Sequence, residues 1–480
     1  MMQRSLRRLA LAALPLALAA CAVTAPPPSV TAPVPQGWQA PLPHGGSVAD
    51  LAQWWNRAGD PLLVELIAAA QDISPSVAQA RSRLAQARAS QVAARAAQRP
   101  ALDVQASGSR GLDQQQGGLA TLAQGALQAS WEVDLFGANA AQSEAASQRL
   151  AGARAQWHEA RVSVAAEVAL AYSDWRHCAR LLAVAESDAR SRGETARLAR
   201  LSERAGFTAP ATAALAQASQ AEGQVRAAQQ RMQCDVGLKG LVALSGWEEP
   251  QLRARLAAQP DTEPPEALFA IAALPAQALA QRPDVYNAER EVAASSADVG
   301  SAQAQRYPRL TLSGSVGAGW ISVGGQHQGF NAWSLGPATL NVPLFDSGRR
   351  AAQVDAAQAR YDEAVALYRA RVRQAVSEVE QALVRLQGAA ERSADAENAA
   401  RGYRTAFDAA DARWRGGLAS LVELEEVRRN ALAAQTTVVG LQQERMAAWV
   451  ALYRAVGGGW DANAPGPDMA STPVAAQAAQ

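Results

Sequence analysis

The stretch LQASWEVDLFG at residues 127–137 decides the fold of this chain, because it joins a strand pattern directly to a helix pattern. From Leu127 to Leu135 apolar and polar side chains alternate, which is the period of a strand with one apolar and one polar face. Gly137 then begins a helical region, 138–204, that contains no proline. At about 1.5 Å per residue such a helix is roughly 100 Å long. No compact globular domain requires a helix of that length.

The same junction between strand and helix occurs again as LNVPLFDSG at residues 340–348. Two other pairs of segments repeat in the same order, namely RPAL at 99–102 with YPRL at 307–310 and RAGFT at 204–208 with RGGLA at 415–419. The three offsets are 208, 209 and 211 residues, and such near-constancy indicates a domain-sized duplication. We therefore expect a first structural repeat over 48–250 and a second over 251–456.

Each repeat has the same internal order of a helix ended by proline, two strands, and a long helical hairpin that turns at glycine. The patterns predict short helices near 72–98 and 285–306, Gly-rich loops between paired strands near 111–122 and 321–331, and long helices over 138–204 and 349–415. The expected fold class is therefore mixed and mainly α, with a strand pair and a long helical hairpin in each copy.

The N-terminus has the features of a bacterial lipoprotein signal. Three arginines within the first eight residues precede an apolar stretch that ends in LAAC at 18–21. We expect 1–20 to be removed as a signal peptide and Cys21 to carry the lipid, although an ordinary cleavage site beside a chance cysteine is the alternative. A Pro-rich tether is expected over 21–47 and a disordered tail over 457–480.

Composition argues against several functional classes. Lys and Arg number 45 against 44 Asp and Glu, so no basic surplus favours nucleic acid. The four histidines show no metal-ligand spacing, and neither a phosphate-binding loop nor a GxSxG motif occurs. We expect neither an enzyme nor a metal site, and no cofactor besides the lipid on Cys21.

The number of strands has a consequence for assembly. After the signal no run of 18 apolar residues occurs, so any bilayer crossing is expected to be made by strands. Four strands do not close a barrel, and open edges are not tolerated in lipid. Two copies would give eight strands and a filled interior, whereas three would give twelve and leave room for a pore.

The ordered set of motifs resembles the TolC-like outer-membrane factor family, in its lipoprotein (NodT-type) branch, which serves resistance-nodulation-division efflux pumps. The residues that carry the resemblance, besides the lipobox, are WW at 54–55, DPL at 60–62, SWEVDLFG at 130–137, RPDV at 282–285, YP at 307–308 and PLFDSG at 343–348. They extend over roughly residues 50 to 456.

The resemblance implies a homotrimer in the cell outer membrane with a 12-stranded transmembrane β-barrel and a 12-helix periplasmic α-barrel. It also implies diacylglycerol and palmitate on Cys21, a periplasmic adaptor protein as partner, and an inner-membrane transporter that supplies the energy. The duct itself conducts passively. An outer-membrane duct for type I protein secretion and a lipoprotein coiled coil without a channel are the alternatives.

Two sets of site residues are expected from the resemblance. Adaptor docking is expected at the hairpin ends, at Arg204, Gly206, Phe207, Arg415, Gly417 and Leu418, although the glycines alone would also explain a helix turn. A ring of carboxylates that narrows the entrance is expected from Glu423 and Glu426. A solvated charged face, with Glu425 paired to Arg429, is the alternative.

The remaining two cysteines have a symmetric placement. Cys178 lies 29 residues before Phe207, and Cys234 lies 27 after it. In an antiparallel hairpin that turns at Phe207 these positions lie at the same height, so we expect a disulfide. Two buried free thiols are the alternative.

Overall fold

The structure is a computed structural model that describes residues 23–33, 59–113, 118–259, 282–323 and 326–460. The predicted signal peptide and Cys21 lie outside the described residues, as do WW at 54–55 and 461–480. Eight helices occur in the described chain, namely α1 Pro61–Ile73, α2 Pro75–Ala96, α3 Ala138–Arg204, α4 Pro210–Ser245, α5 Glu249–Ala258, α6 Pro283–Ala304, α7 Arg349–Arg415 and α8 Leu421–Ala455. Four strands accompany them, namely β1 Ala101–Asp113, β2 Gly118–Val133, β3 Arg309–Val323 and β4 Gln326–Asn341.

The predicted long helices are confirmed at both ends, but the expected loops are wrong and one helix was missed. The helix expected near 72–98 is α2, but a further helix that was not expected, α1, precedes it and ends at Ile73, because Ser74 is extended and Pro75 begins α2. The Gly-rich loops are shorter than expected, since the strands continue through most of 111–122 and 321–331. Near the loops polar and apolar side chains share both faces, since Thr121 lies opposite Ser322 and Leu122 opposite Ile321, so polar residues and glycine occur within the strands.

The sheet is antiparallel with the order β1-β2-β3-β4. Its register aligns one apolar row across all four strands, in which Val104 lies opposite Leu127, Leu127 opposite Val316, and Val316 opposite Trp333. The neighbouring row is polar and consists of Asp103, Gln128, Ser315 and Ser334. The predicted alternation therefore gives the half of the sheet nearer the helices one apolar and one polar face.

A β-bulge in β4 keeps this alternation in phase. Leu312 and Gly314 are two residues apart on β3, whereas their partners Ala338 and Leu335 are three apart on β4. The extra residue lies at Gly336–Pro337, where Gly336 has φ +108°. Without the bulge the upper half of β4 would present its apolar side chains to the polar face.

The chain divides into two compact units, and each takes segments from both sequence repeats. Of the described residues, the sheet unit contains those within 23–33, 81–156 and 286–371. The hairpin unit contains those within 59–80, 157–285 and 372–460. The repeats are therefore units of sequence, and neither of them forms a compact body alone.

Residues 23–33 of the expected tether are extended and lie against helices of the sheet unit. The Thr24 amide donates to Gln303 Oε1 at 3.0 Å. Ser296 donates to the Pro26 carbonyl, and the Tyr361 hydroxyl donates to the Pro27 carbonyl at 2.9 Å. This part of the tether is thus packed on α6 and α7 over several residues. The rest of 21–47 lies outside the described residues.

At the other end of the chain, 457–460 form a turn, and the expectation of a disordered tail from 457 onward is wrong for these residues. Trp460 is only 9% exposed, and its ring lies 6.2 Å from that of His158. A buried indole explains why the ordered chain extends beyond the glycines. In the described part of the chain, no helix is both long enough and apolar enough to cross a membrane.

A disulfide joins Cys178 on α3 to Cys234 on α4, with their Cα atoms 5.4 Å apart. The short Cα distance shows that α3 and α4 lie side by side at these two residues. The bridge closes a segment of 56 residues and removes much of the conformational freedom of that segment from the unfolded chain.

Reduction of this disulfide, or the Cys178→Ser/Cys234→Ser variant, is expected to lower the free energy of unfolding by about 2–4 kcal/mol. Urea unfolding followed by the helical signal measures the difference. Alkylation and intact mass should show no adduct at these cysteines before reduction and two afterwards. Two adducts without reductant would contradict the disulfide.

Candidate functional site: the hairpin ends

The first helical hairpin turns through a glycine-terminated helix end. α3 finishes at Arg204, and Gly206 follows with φ +77°. The Phe207 amide donates to the Ser202 carbonyl and the Gly206 amide donates to the Glu203 carbonyl, both at 2.9 Å. These two bonds form a Schellman motif, in which Phe207 is the residue that follows the glycine of positive φ.

The second hairpin has the same construction 211 residues later. Gly417 has φ +73°, its amide donates to the Trp414 carbonyl at 2.9 Å, and the Leu418 amide donates to the Arg413 carbonyl at 2.8 Å. Ser420 then begins α8, and its side chain accepts from the Glu423 amide at 3.1 Å. The sequence S-x-x-E at 420–423 is the capping-box pattern that marks such a helix start.

Both turns expose one large apolar side chain at the equivalent position. Phe207 is 86% exposed and Leu418 is 75% exposed. Arg204 and Arg415 are exposed beside them, and Arg415 pairs with Asp411 at 2.8 Å. Each predicted docking residue therefore lies at the end of a hairpin. An exposed phenylalanine at a helix end contributes nothing to the core, so its apolar surface is available to a partner.

The two carboxylates expected to form a ring differ in their surroundings. Glu423 pairs with Arg413 at 2.8 Å, across the second turn. Glu426 is exposed on α8. The guanidinium of Arg413 neutralises part of the negative charge that Glu423 would bring to a ring of carboxylates. Glu426 would therefore contribute more of the ring's charge.

The alternative in which Glu425 pairs with Arg429 is wrong. Glu425 accepts from Arg192 at 2.8 Å and from Ser219 at 2.9 Å, and it also pairs with Arg428. Arg428 is 3% exposed, whereas Arg429 is exposed. Glu425 thus lies on the buried side of α8, where the inward-facing arginines reach it.

These residues belong to a buried charge cluster that the sequence analysis did not identify. Arg192 donates to Asp188 at 2.8 Å as well as to Glu425. Arg428 donates to Thr195 at 2.7 Å, and its guanidinium lies 5.5 Å from the centre of the Phe407 ring. The cluster, defined as Asp188, Arg192, Ser219, Glu425 and Arg428, therefore joins α3, α4 and α8 and contacts α7.

Burial sets the electrostatics of this cluster. The side chains of Asp188 and Arg192 are 5% and 6% exposed. Desolvation lowers the pKa of the Arg428 guanidinium, and the Glu425 carboxylate beside it acts in the opposite direction. Two carboxylates and two guanidiniums balance in charge, which allows the group to be buried. The sequence shows arginines and acids three and four residues apart, but the same spacing occurs on exposed helix faces. The spacing therefore does not predict that these side chains are buried.

Comparisons with known proteins agree with this architecture. The chain belongs to the outer membrane efflux protein family, whose pattern matches residues 66–246 and 274–458. No group of His, Cys, Asp or Glu within the described ranges is arranged to hold a metal ion.

Individual relatives match over almost their whole lengths. The chain is 31% identical to the pyoverdine export outer membrane protein OpmQ of Pseudomonas putida, covering 96% of this chain and 99% of the relative. It is 29% identical to nodulation protein T of Rhizobium leguminosarum bv. viciae, covering 98% of both. The solved outer-membrane channel OprN is 26% identical, with a TM-score of 0.78 over 90% of this chain and 99% of that one.

Replacing Arg192 by Met is expected to destabilise the hairpin unit by roughly 3–5 kcal/mol, because it leaves two acidic partners without their shared cation. The matched control is Arg197→Met on the same helix, whose exposed pair with Glu194 is screened by water and is expected to change the stability little. Urea unfolding of both variants measures the difference. Equal stabilities would contradict a structural role for the cluster.

Proposed function

We propose that three copies of this chain form the outer-membrane duct of a tripartite efflux pump, anchored by diacylglycerol and palmitate on Cys21. One observation carries the proposal, namely a four-stranded sheet whose half nearer the helices has one apolar and one polar face, and whose outer strands each leave one edge unpaired in the described chain. The family supplies the context, since its members are outer-membrane efflux proteins.

The faces of the sheet suit a wall between lipid and water. In a closed barrel the apolar row of Val104, Leu127, Val316 and Trp333 faces the hydrocarbon, and the polar row of Asp103, Gln128, Ser315 and Ser334 faces the lumen. Strands of 13 to 16 residues exceed the length needed to cross the hydrocarbon layer at a tilt. Three copies provide twelve strands, enough for an open lumen.

The hairpin ends are the contacts proposed for the periplasmic adaptor. Phe207 and Leu418 offer two equivalent apolar anchors on rigid helix ends, and the glycines hold the turns that present them. Their duplication gives three copies a set of six similar anchors, which favours a partner that is itself repeated around the duct.

The cargo is proposed to be small compounds, conducted passively from an inner-membrane resistance-nodulation-division transporter. The relative OpmQ is named for pyoverdine export, which supports a small-molecule cargo over a protein.

A deletion strain distinguishes the two kinds of cargo. Increased susceptibility to drugs, dyes or siderophore-like compounds, restored by the gene on a plasmid, is the expected result. A normal susceptibility panel together with a lost secreted protein would favour the type I secretion duct instead.

The Phe207→Ser/Leu418→Ser variant is expected to lower the minimum inhibitory concentration of exported compounds roughly fourfold or more, because apolar anchors dominate interface affinity. Its folding should change by less than about 0.5 kcal/mol because both side chains are exposed. The matched control is Val225→Ser, a 65% exposed valine on α4. If the variant kept full resistance, the hairpin ends would not be the docking site.

The Glu423→Ala/Glu426→Ala variant is expected to raise single-channel conductance and to weaken cation selectivity, because it removes a proposed ring of carboxylates at the entrance. Planar-bilayer recordings measure both quantities, with Glu397→Ala on α7 as the control. Unchanged conductance and selectivity would eliminate the ring.

A further inference from the structure

We infer that the end of the sheet away from the helices binds the phosphorylated sugar headgroup of a glycolipid in the outer leaflet of the membrane. The site consists of the exposed ring of Trp320 and of a row of four side chains, which we call the donor row. The donor row is Arg110, Thr121, Ser322 and His327. The inference rests on the proposed function, which places the sheet in the outer membrane with the helices on the periplasmic side.

The donor row lies on the same face of the sheet as the apolar row that runs from Val104 to Trp333. Arg110 pairs with Thr121, Thr121 with Ser322, and Ser322 with His327. Each of these residues is six positions from the apolar-row residue of its own strand. Successive side chains of a strand alternate between its faces, so an even separation keeps both residues on one face. The donor row therefore points to the side that is proposed to contact lipid.

The two faces exchange polarity at this level of the sheet. On the opposite face the adjoining row contains Leu122 and Ile321, which pair with each other. Thr121 and Ser322, next to them on the same strands, point to the membrane side. Hydroxyl groups without hydrogen-bond partners are unfavourable in hydrocarbon. This level of the sheet therefore lies beyond the hydrocarbon layer, where polar partners are available.

The length of the apolar face indicates where the hydrocarbon layer ends. Every second residue of β3 from Leu310 to Trp320 is apolar or glycine, and so is every second residue of β2 from Val133 to Ala123. The ten residue steps of β3 correspond to roughly 34 Å along the strand and, at a tilt of about 40°, to roughly 26 Å in height. A membrane β-barrel has an apolar band of about 25 Å with aromatic residues at its borders. Trp320 therefore marks the outer border of the band.

The donor row is one side-chain repeat beyond Trp320. Ser322 follows Trp320 by two residues, which is about 7 Å along the strand and about 5 Å in height. The headgroup layer on each side of the hydrocarbon is roughly 5–8 Å thick. The donor row therefore lies among lipid headgroups and not in bulk water.

The chemistry of the donor row suits a phosphate group. Guanidinium, hydroxyl and imidazole groups all donate hydrogen bonds, and the row contains no carboxylate to repel an anion. Arg110 is exposed, and among the side chains that the structure describes it has no salt-bridge partner. A guanidinium binds phosphate oxygens in a bidentate manner and stays charged at every physiological pH. Arg110 is therefore the main phosphate ligand.

Trp320 provides a surface for a sugar ring beside the donor row. The residue is 43% exposed, and its ring centre lies 5.9 Å from that of His327. Its partners on the two neighbouring strands are Ala123 and Gly329, which are too small to cover the indole. A sugar has apolar C–H faces and a polar rim, which suits an exposed indole next to hydrogen-bond donors.

The width of the donor row favours a glycolipid over a phospholipid. The row extends across four strands, from Arg110 on β1 to His327 on β4, which is about 14 Å. A single phosphate group cannot contact both ends of such a row, whereas a disaccharide that carries phosphates can. The ligand class is therefore a phosphorylated glycolipid.

The experiment measures binding of diphosphorylated lipid A to the full-length protein in mild detergent by native mass spectrometry, with phosphatidylglycerol as the comparison lipid. Arg110→Gln is expected to weaken lipid A binding roughly fivefold, because one arginine near an anionic lipid surface contributes affinity of that order. The matched control is Arg309→Gln, an exposed arginine at the opposite end of the sheet, which should bind lipid A like the unchanged protein. Thr121→Val/Ser322→Ala removes two donors while keeping the strand, and it should weaken binding in the same direction.

Equal lipid A affinity in the Arg110→Gln and Arg309→Gln variants would overturn the site, and the hydroxyl variant decides if Arg110→Gln does not assemble. Binding of phosphatidylglycerol as tight as that of lipid A would overturn the glycolipid as the ligand. In either case a trimer by native mass leaves the proposed duct intact. A monomer by native mass would contradict the proposed function together with this inference.

Discussion

The backbone groups along the outer edges of β1 and β4 have no partner strand within the described chain, and the assembly of the protein depends on how these edges are paired. In water such edges would be solvated, but next to hydrocarbon each unsatisfied amide or carbonyl costs several kcal/mol. The apolar face formed with Leu127 and Val316 assigns the sheet to the hydrocarbon. A sheet with that face and two open edges is stable there only when other copies close it.

In the hairpin unit, long Ala-rich helices must be held side by side. Small side chains provide little apolar area per turn, so specific contacts take a larger share. The Cys178–Cys234 disulfide joins α3 to α4, and the buried cluster around Arg192 and Glu425 joins both to α8. The turns can then end in exposed Phe207 and Leu418 without contributing to the core.

Much of the fold could be predicted from the sequence because its signals were local. Period-2 alternation around Trp131 and the proline-free segments gave the strands and long helices, and hairpin symmetry about Phe207 gave the cysteine pair. Features set by tertiary contact were missed. The bulge at Gly336 depends on the β3 register, and the partners of Glu425 depend on which side of α8 is buried. Helical spacing alone does not distinguish a buried ion pair from a solvated one.

The most direct test of the shared-barrel account is the native mass of the lipidated protein released from membranes in a mild detergent, with its strand content followed by circular dichroism. The account predicts an assembly of three chains that retains its sheet signal and loses it when the chains are separated. A single chain that keeps the full sheet signal in detergent and in lipid would contradict the account, because its edges would then require no second copy.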